Sequence, residues 1–204
     1  MAQRKAKLAV FISGGGTGLQ SIIDASRRGD LSAEVAWVVS SSAKAYGLQR
    51  AAKAAIESFV FRPKKYRSPE EAEADLLRKL KERDIDYIAL AGYLKLLPAK
   101  VVAAYPRRIV NIHPGLLPKY GGKGMFGHHV HEAVLEAGEK ESGATVHLAD
   151  EIYDHGKILE QVKVPVLKGD TPESLAQRVL LEEHRLYPAV LEKLITGKYE
   201  VEND

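Results

Sequence analysis

The chain has 204 residues, 45% of them apolar and 28% charged, with a formal net charge of +3. Such a composition supports a core burying roughly 70% of the unfolded surface and excludes long-range disorder. The absence of cysteine excludes a disulfide scaffold, a cysteine nucleophile and any Cys-ligated zinc or iron–sulfur site, and it fits a reducing compartment. No apolar run approaches the roughly 18 residues of a membrane-spanning helix. Three basic charges precede the run Leu8–Ile12, but that run is too short for a signal peptide, so a cytoplasmic protein is expected. Basic residues are interspersed with acids, as in Lys79–Asp84, without the stripe that nucleic acid requires. Small anionic ligands remain compatible with this balance.

Residues 8–12 (LAVFI) form a continuous apolar run ending at Ser13 and three glycines, the pattern of a strand buried on both faces. A helix follows, with Leu19, Ile22 and Ile23 on one face and a stop near Gly29. A second strand is expected at 35–39, a helix around 44–55, and a short strand at 59–61. Pro69 after Ser68 opens another helix, whose buried face is Leu76, Leu77 and Leu80. Strands are expected at 85–91 and 109–112. His113–Pro114 break the latter, and a glycine-rich loop runs to Gly127. Two further strands are expected at 144–149 and 158–166. Thr171–Pro172 starts a helix lined by Leu175, Val179 and Leu186, and Pro188 is expected to begin or kink the last helix. This alternation predicts an α/β fold: one doubly wound, mostly parallel sheet with helices on both faces, in a single unit spanning 1–204.

Three segments carry chemistry. Ser13–Gly18 sits between a buried strand and a helix, where backbone N–H groups meet a phosphate. It is no Walker motif, and its spacing fails the dinucleotide pattern. A merely tight turn is the competing reading. Asn111 and His113 share one face of a strand end by period two and together make a pair of donors for a developing oxyanion. The same pattern fits a strand-end histidine satisfied by a backbone carbonyl, and both readings stand at this point. Asp150–Gly156 (DEIYDHG) is an acidic turn, either simply solvated or placing a carboxylate beside His113 to keep it protonated near neutrality. His128, His129, His131 and His155 do not show metal-ligand spacing, and no metal is expected.

Taken together, SGGGTGLQSIID at 13–24, LAGYLKLLP at 90–98, NIHPGLLPKY at 111–120, the Asp154–Gly156 turn and EEHRLYP at 182–188 resemble the phosphoribosylglycinamide formyltransferase family in order and spacing. The resemblance implies a formyltransferase-like, Rossmann-related fold. It implies a nucleotide-phosphate half at 1–110 and a catalytic, folate-binding half at 111–204. It assigns catalysis to Asn111, His113 and Asp154. Nucleotide binding falls to Gly16, Thr17, Gly18 and Glu183, and folate binding to Leu94, Lys95, Leu96, Leu97, Asn111 and Asp150.

The implied reaction moves a formyl group from 10-formyltetrahydrofolate, a cosubstrate, to the amine of 5-phosphoribosylglycinamide in de novo purine biosynthesis. It needs no metal. The implied partners are these small molecules, with neither nucleic acid nor membrane, and the chain is a monomer or homodimer. Three departures stand out: extra glycine-rich residues between Tyr120 and His129, glycines at 15 and 18 where many relatives carry asparagine, and the lack of the arginine that the family often has near the position of Pro69. Lys64, Lys65 and Arg67 are the candidates to replace that arginine. Two further readings are a formyltetrahydrofolate hydrolase, which usually carries an added N-terminal domain, and a non-catalytic nucleotide-binding module. A methionyl-tRNA formyltransferase would normally extend past residue 204.

Overall fold

The computed structural model describes residues 4–199; residues 1–3 and 200–204, the ends of the expected 1–204 unit, lie outside the described residues. In chain order the elements are β1 (Ala6–Ile12), α1 (Thr17–Arg28), β2 (Ala33–Ser40), α2 (Gly47–Lys53), β3 (Ser58–Val60), α3 (Pro69–Glu82), β4 (Tyr87–Leu90), α4 (Ala99–Ala104), β5 (Ile109–His113), α5 (His128–Glu136), β6 (Glu141–Leu148), β7 (Ile158–Pro165) and α6 (Pro172–Ile195).

Leu8 to Ile12 are fully buried because alternate side chains of β1 serve two helical layers. Leu8, Val10 and Ile12 pack with Leu19, Ile22 and Ile23 of α1, Ala51 of α2, and Val190 and Leu191 of α6. Ala9 and Phe11 pack with Leu76 and Leu80 of α3 and Val101 of α4. The seven strands run in the order β3-β2-β1-β4-β5-β6-β7. β1 to β5 are parallel, and β6 and β7 are antiparallel additions. The expected doubly wound, mostly parallel sheet is therefore present. From β1 the chain passes to β2 on one side and later to β4 on the other. Their carboxyl ends border a topological switch point, where such folds hold ligands.

Three elements differ from the sequence expectation. α4 is only six residues long, too short for an apolar period to stand out. α5 buries Val130, His131 and Val134, and its buried face escapes detection because a histidine occupies one of the core positions. Pro188 does not begin a helix: α6 runs unbroken through it for 24 residues. Burial explains this, since Tyr187, Pro188, Val190 and Leu191 are all in the core. The Tyr187 hydroxyl lies 2.9 Å from Val110 O and 3.1 Å from Leu90 O and donates to this pair. Packing and this bond offset the backbone bond that proline removes.

α6 is fixed at its start as well. Thr171 and Ser174 form a reciprocal cap, and Pro172 fills the first turn. Just before it, the Asp170 carboxylate accepts from Leu167 N (2.7 Å), Ser174 Oγ (2.7 Å) and both terminal nitrogens of Arg178 (2.8 and 2.9 Å). The Arg178 guanidinium holds the Asp170 carboxyl well below the usual range. A depressed carboxylate contributes stability above its unfolded pKa, and that stability is lost as pH falls through the folded value. Asp170→Asn should therefore destabilise the fold by roughly 1.5–3 kcal/mol at neutral pH. Melting curves should show the gap between variant and wild type closing below about pH 4. A gap that stays constant into strong acid would contradict this.

Candidate active site

β1 delivers the chain to Ser13, whose N–H donates to Gly92 O (3.0 Å) and whose Oγ accepts from Leu94 N (2.9 Å), joining the ends of β1 and β4. Gly16 precedes α1 with φ 70°. A Cβ there would sit 2.6 Å from Gly47 Cα, so the turn and the contact with α2 demand glycine at this position. Gly14 and Gly15 face open space instead. Arg50 Nε steadies the turn by donating to Gly15 O (2.9 Å). No side chain among the described residues caps α1. Helix geometry leaves the N–H groups of Thr17, Gly18 and Leu19 without intrahelical acceptors, beside a cavity of about 910 Å³ lined by Ser13–Gly18.

The same cavity reaches Asn111, His113 and Asp154. β5 puts Asn111 and His113 on one face, and antiparallel pairing sets His147 opposite Asn111 and Thr145 opposite His113. Asn111 Nδ2 lies 3.0 Å from His147 Nε2 and 3.4 Å from Asp154 Oδ1. Asp154 Oδ2 lies 3.4 Å from His113 Nδ1. The three residues expected to act together thus meet around Asp154.

The loop after β5 closes over them. Thr145 Oγ1 donates to Gly115 O (2.6 Å) and accepts from Leu117 N (3.1 Å) and from Gln161 Nε2 (2.8 Å) on β7. These bonds aim Tyr120 O at His113 Nε2, which donates to it at 2.8 Å. Gly122 N donates to Asp154 Oδ2 at 2.9 Å. Tyr120 and Asp154 both adopt left-handed backbone, with φ 56° and 54°. Such strain in non-glycine residues persists only where surrounding contacts enforce it.

Burial pushes the His113 imidazole below its ordinary 6.5, outweighing the upward pull of the Asp154 charge and the Tyr120 carbonyl. This corrects the expectation that Asp154 keeps His113 protonated near neutrality. At neutral pH His113 is therefore neutral. Burial also raises Asp154, but the neighbouring His147 and His113 rings and the Gly122 N–H outweigh it and leave the carboxyl below its ordinary value.

Glu183 lines the cavity from α6, on the same helix face as Gln177 and Leu180. Burial raises its carboxyl to about 7. Leu94 and Leu96 expose apolar side chains to the cavity, Leu97 is buried at its edge, and Lys95 lines it from the same segment. Asp150 also lines it, while accepting from Ile152 N (2.7 Å) and His155 Nδ1 (2.8 Å). Lys64, Lys65 and Arg67 are not among the lining residues, whereas Gly122–Gly127 are. His128 pairs with Glu132 at 3.0 Å, and His131 is buried in α5 with its imidazole pushed down to about 4. His147, Thr145 and the Tyr120 carbonyl escape the sequence reading. The signal for His147 is its place on a strand pairing with 109–113, but the register that sets it opposite Asn111 is a tertiary fact.

The formyl transferase family model matches residues 6–191. A phosphoribosylglycinamide formyltransferase of Haemophilus influenzae is 39% identical, covering 97% of this chain and 91% of its own length. The chloroplastic phosphoribosylglycinamide formyltransferase of Vigna unguiculata is 46% identical over 94% of this chain, which spans only 61% of that relative. The crystal structure of glycinamide ribonucleotide transformylase 1 from Symbiobacterium toebii superposes with a TM-score of 0.90 at 40% identity, covering 98% of this chain and 92% of that one. With a family match from β1 into α6, and with a sheet shared at this level of identity, the chain belongs to the formyl transferase family.

Proposed function

We propose that this chain transfers the formyl group of 10-formyltetrahydrofolate to the amine of 5-phosphoribosylglycinamide, as a step of purine biosynthesis. The observation that carries the reading is His113, 3.4 Å from Asp154 and beside Asn111, in the same cavity as the open N-terminus of α1. The names of the similar proteins support it. Thr17 and Gly18 offer backbone N–H groups to the acceptor's phosphate, with Gly16 shaping the turn. Glu183 accepts from its sugar hydroxyls. Leu94, Leu96 and Leu97 form the apolar wall for the pterin, with Lys95 and Asp150 at its edges. No helix among the described residues is long and apolar enough to cross a membrane.

His113 acts first as a base. Its single proton bonds Tyr120 O at Nε2, so Nδ1, on the Asp154 side, presents the lone pair that takes the attacking amine's proton. The amine attacks the formyl carbon, and Asn111 Nδ2 donates to the oxygen that becomes negative. The imidazolium formed at His113 is stabilised by Asp154 and returns its proton to the departing folate nitrogen.

Formyl loss from 10-formyltetrahydrofolate should depend on the ribonucleotide acceptor; equal rates without it would assign a hydrolase instead. In wild type, kcat/KM should fall on the acid side, below pH 6.5, because protonation removes the base. Asp154→Asn should lower the His113 pKa further and shift that acid limb to lower pH. Its plateau should drop by about 10² or more. An unchanged limb and plateau would show Asp154 to be a bystander. Nucleotide affinity should weaken as pH falls through about 7, where Glu183 gains its proton, and Glu183→Gln should remove that dependence. A binding curve with the same pH slope in both proteins would reject the assignment.

A further inference from the structure

We propose that His147 is a positioning residue that fixes which end of the Asn111 amide faces the reacting oxygen. The proposal rests on the formyl-transfer reading above. An asparagine amide has two ends of nearly equal shape and opposite chemistry. If Asn111 turned its Oδ1 toward the reacting centre, an acceptor would meet a developing negative charge, and the residue would oppose the reaction it serves.

His147 is 1% exposed and sits directly opposite Asn111 across the β5–β6 pair. Its Nδ1 lies 2.8 Å from Leu148 O. A carbonyl only accepts, so in the neutral imidazole Nδ1 carries the proton and Nε2 is left as a lone pair. That lone pair lies 3.0 Å from Asn111 Nδ2 and takes one of its two hydrogens. The second hydrogen points toward Asp154 Oδ1 at 3.4 Å, too long for a strong bond. It is therefore available to a better acceptor when one forms beside it. In the flipped amide, Oδ1 would face two acceptors, the His147 lone pair and the Asp154 carboxylate. Thus the backbone carbonyl of Leu148 sets the His147 tautomer, the tautomer sets the amide, and the amide keeps a donor toward the cavity. His147 itself need not touch either substrate.

Steady-state kinetics of substitutions at 147 test this. Gln places a side-chain oxygen near the Nε2 position, whereas Leu and Asn place no acceptor there. His147→Leu should lower kcat by about 10², the cost of one oxyanion donor, with KM for both substrates changed by less than about threefold. His147→Gln should restore most of the turnover, and His147→Asn should not. In an Asn111→Ala background, His147→Leu should cost nothing more, because the group it positions is gone. Equal losses in both backgrounds, or a Gln variant no better than Leu, would overturn the proposal. If the Leu variant fails to fold, the comparison of Gln with Asn decides alone.

In uniformly 15N-labelled wild type, a coupling across the hydrogen bond should link Asn111 Nδ2 and His147 Nε2; its absence at neutral pH would also overturn the proposal. That spectrum needs no turnover. A wild type that shows the coupling but transfers no formyl group therefore refutes the proposed function while leaving the amide fixed as described.

Discussion

A single half-buried carboxylate organises the site. Asp154, its side chain 10% exposed, is met by a histidine ring, an asparagine amide and a backbone N–H. A charge in that position is costly unless paired and hydrogen-bonded, and those partners come from separate parts of the chain. β5 contributes Asn111 and His113, β6 holds Asn111 through His147, and the glycine-rich loop contributes Gly122. The left-handed backbone of Asp154 follows from this demand: the turn is bent to bring the carboxylate to its partners.

The sheet explains why the partners are available. On one face α1, α2 and α6 cover β1 and its neighbours, and on the other α3 and α4 do so. Over β5 to β7 the second face carries polar residues in register, with His113, Thr145 and Gln161 in one row and Asn111 and His147 in the next. Loops cover them in place of a helix. Loops can donate and accept with their backbones, so this is where polar side chains survive burial. Thr145 and Gln161 tie the loop start down, which lets Tyr120 O reach His113 Nε2.

Much of this was legible from residue order alone. The run at 8–12 predicts β1 because continuous apolarity marks a doubly covered strand. The pair Asn111 and His113 predicts a shared face because strands alternate. What escaped is what register and burial decide. His147 lies on a correctly expected strand, but only antiparallel pairing sets it beside Asn111. His113 was expected to hold a proton because a carboxylate is near; the cost of desolvating a ring 3% exposed outweighs that neighbour. Gly16 reads as an opening for a ligand, yet the atom it must clear belongs to Gly47. Pro188 reads as a boundary, yet the burial of Tyr187 beside it carries the helix through.

Tyr187 has one more consequence. Its hydroxyl is bonded to the carbonyls of Leu90 and Val110, deep between β4 and β5. Glu183 lies one helical turn before it, and Asn111 directly follows Val110. The helix is thereby bolted to the strand, and the span from the Glu183 carboxylate to the Asn111–His113 pair becomes a fixed gauge rather than an adjustable one. Within the proposed function, an acceptor is measured by that gauge. A molecule one bond too short can engage its sugar or offer its amine, but the rigid span does not let it do both.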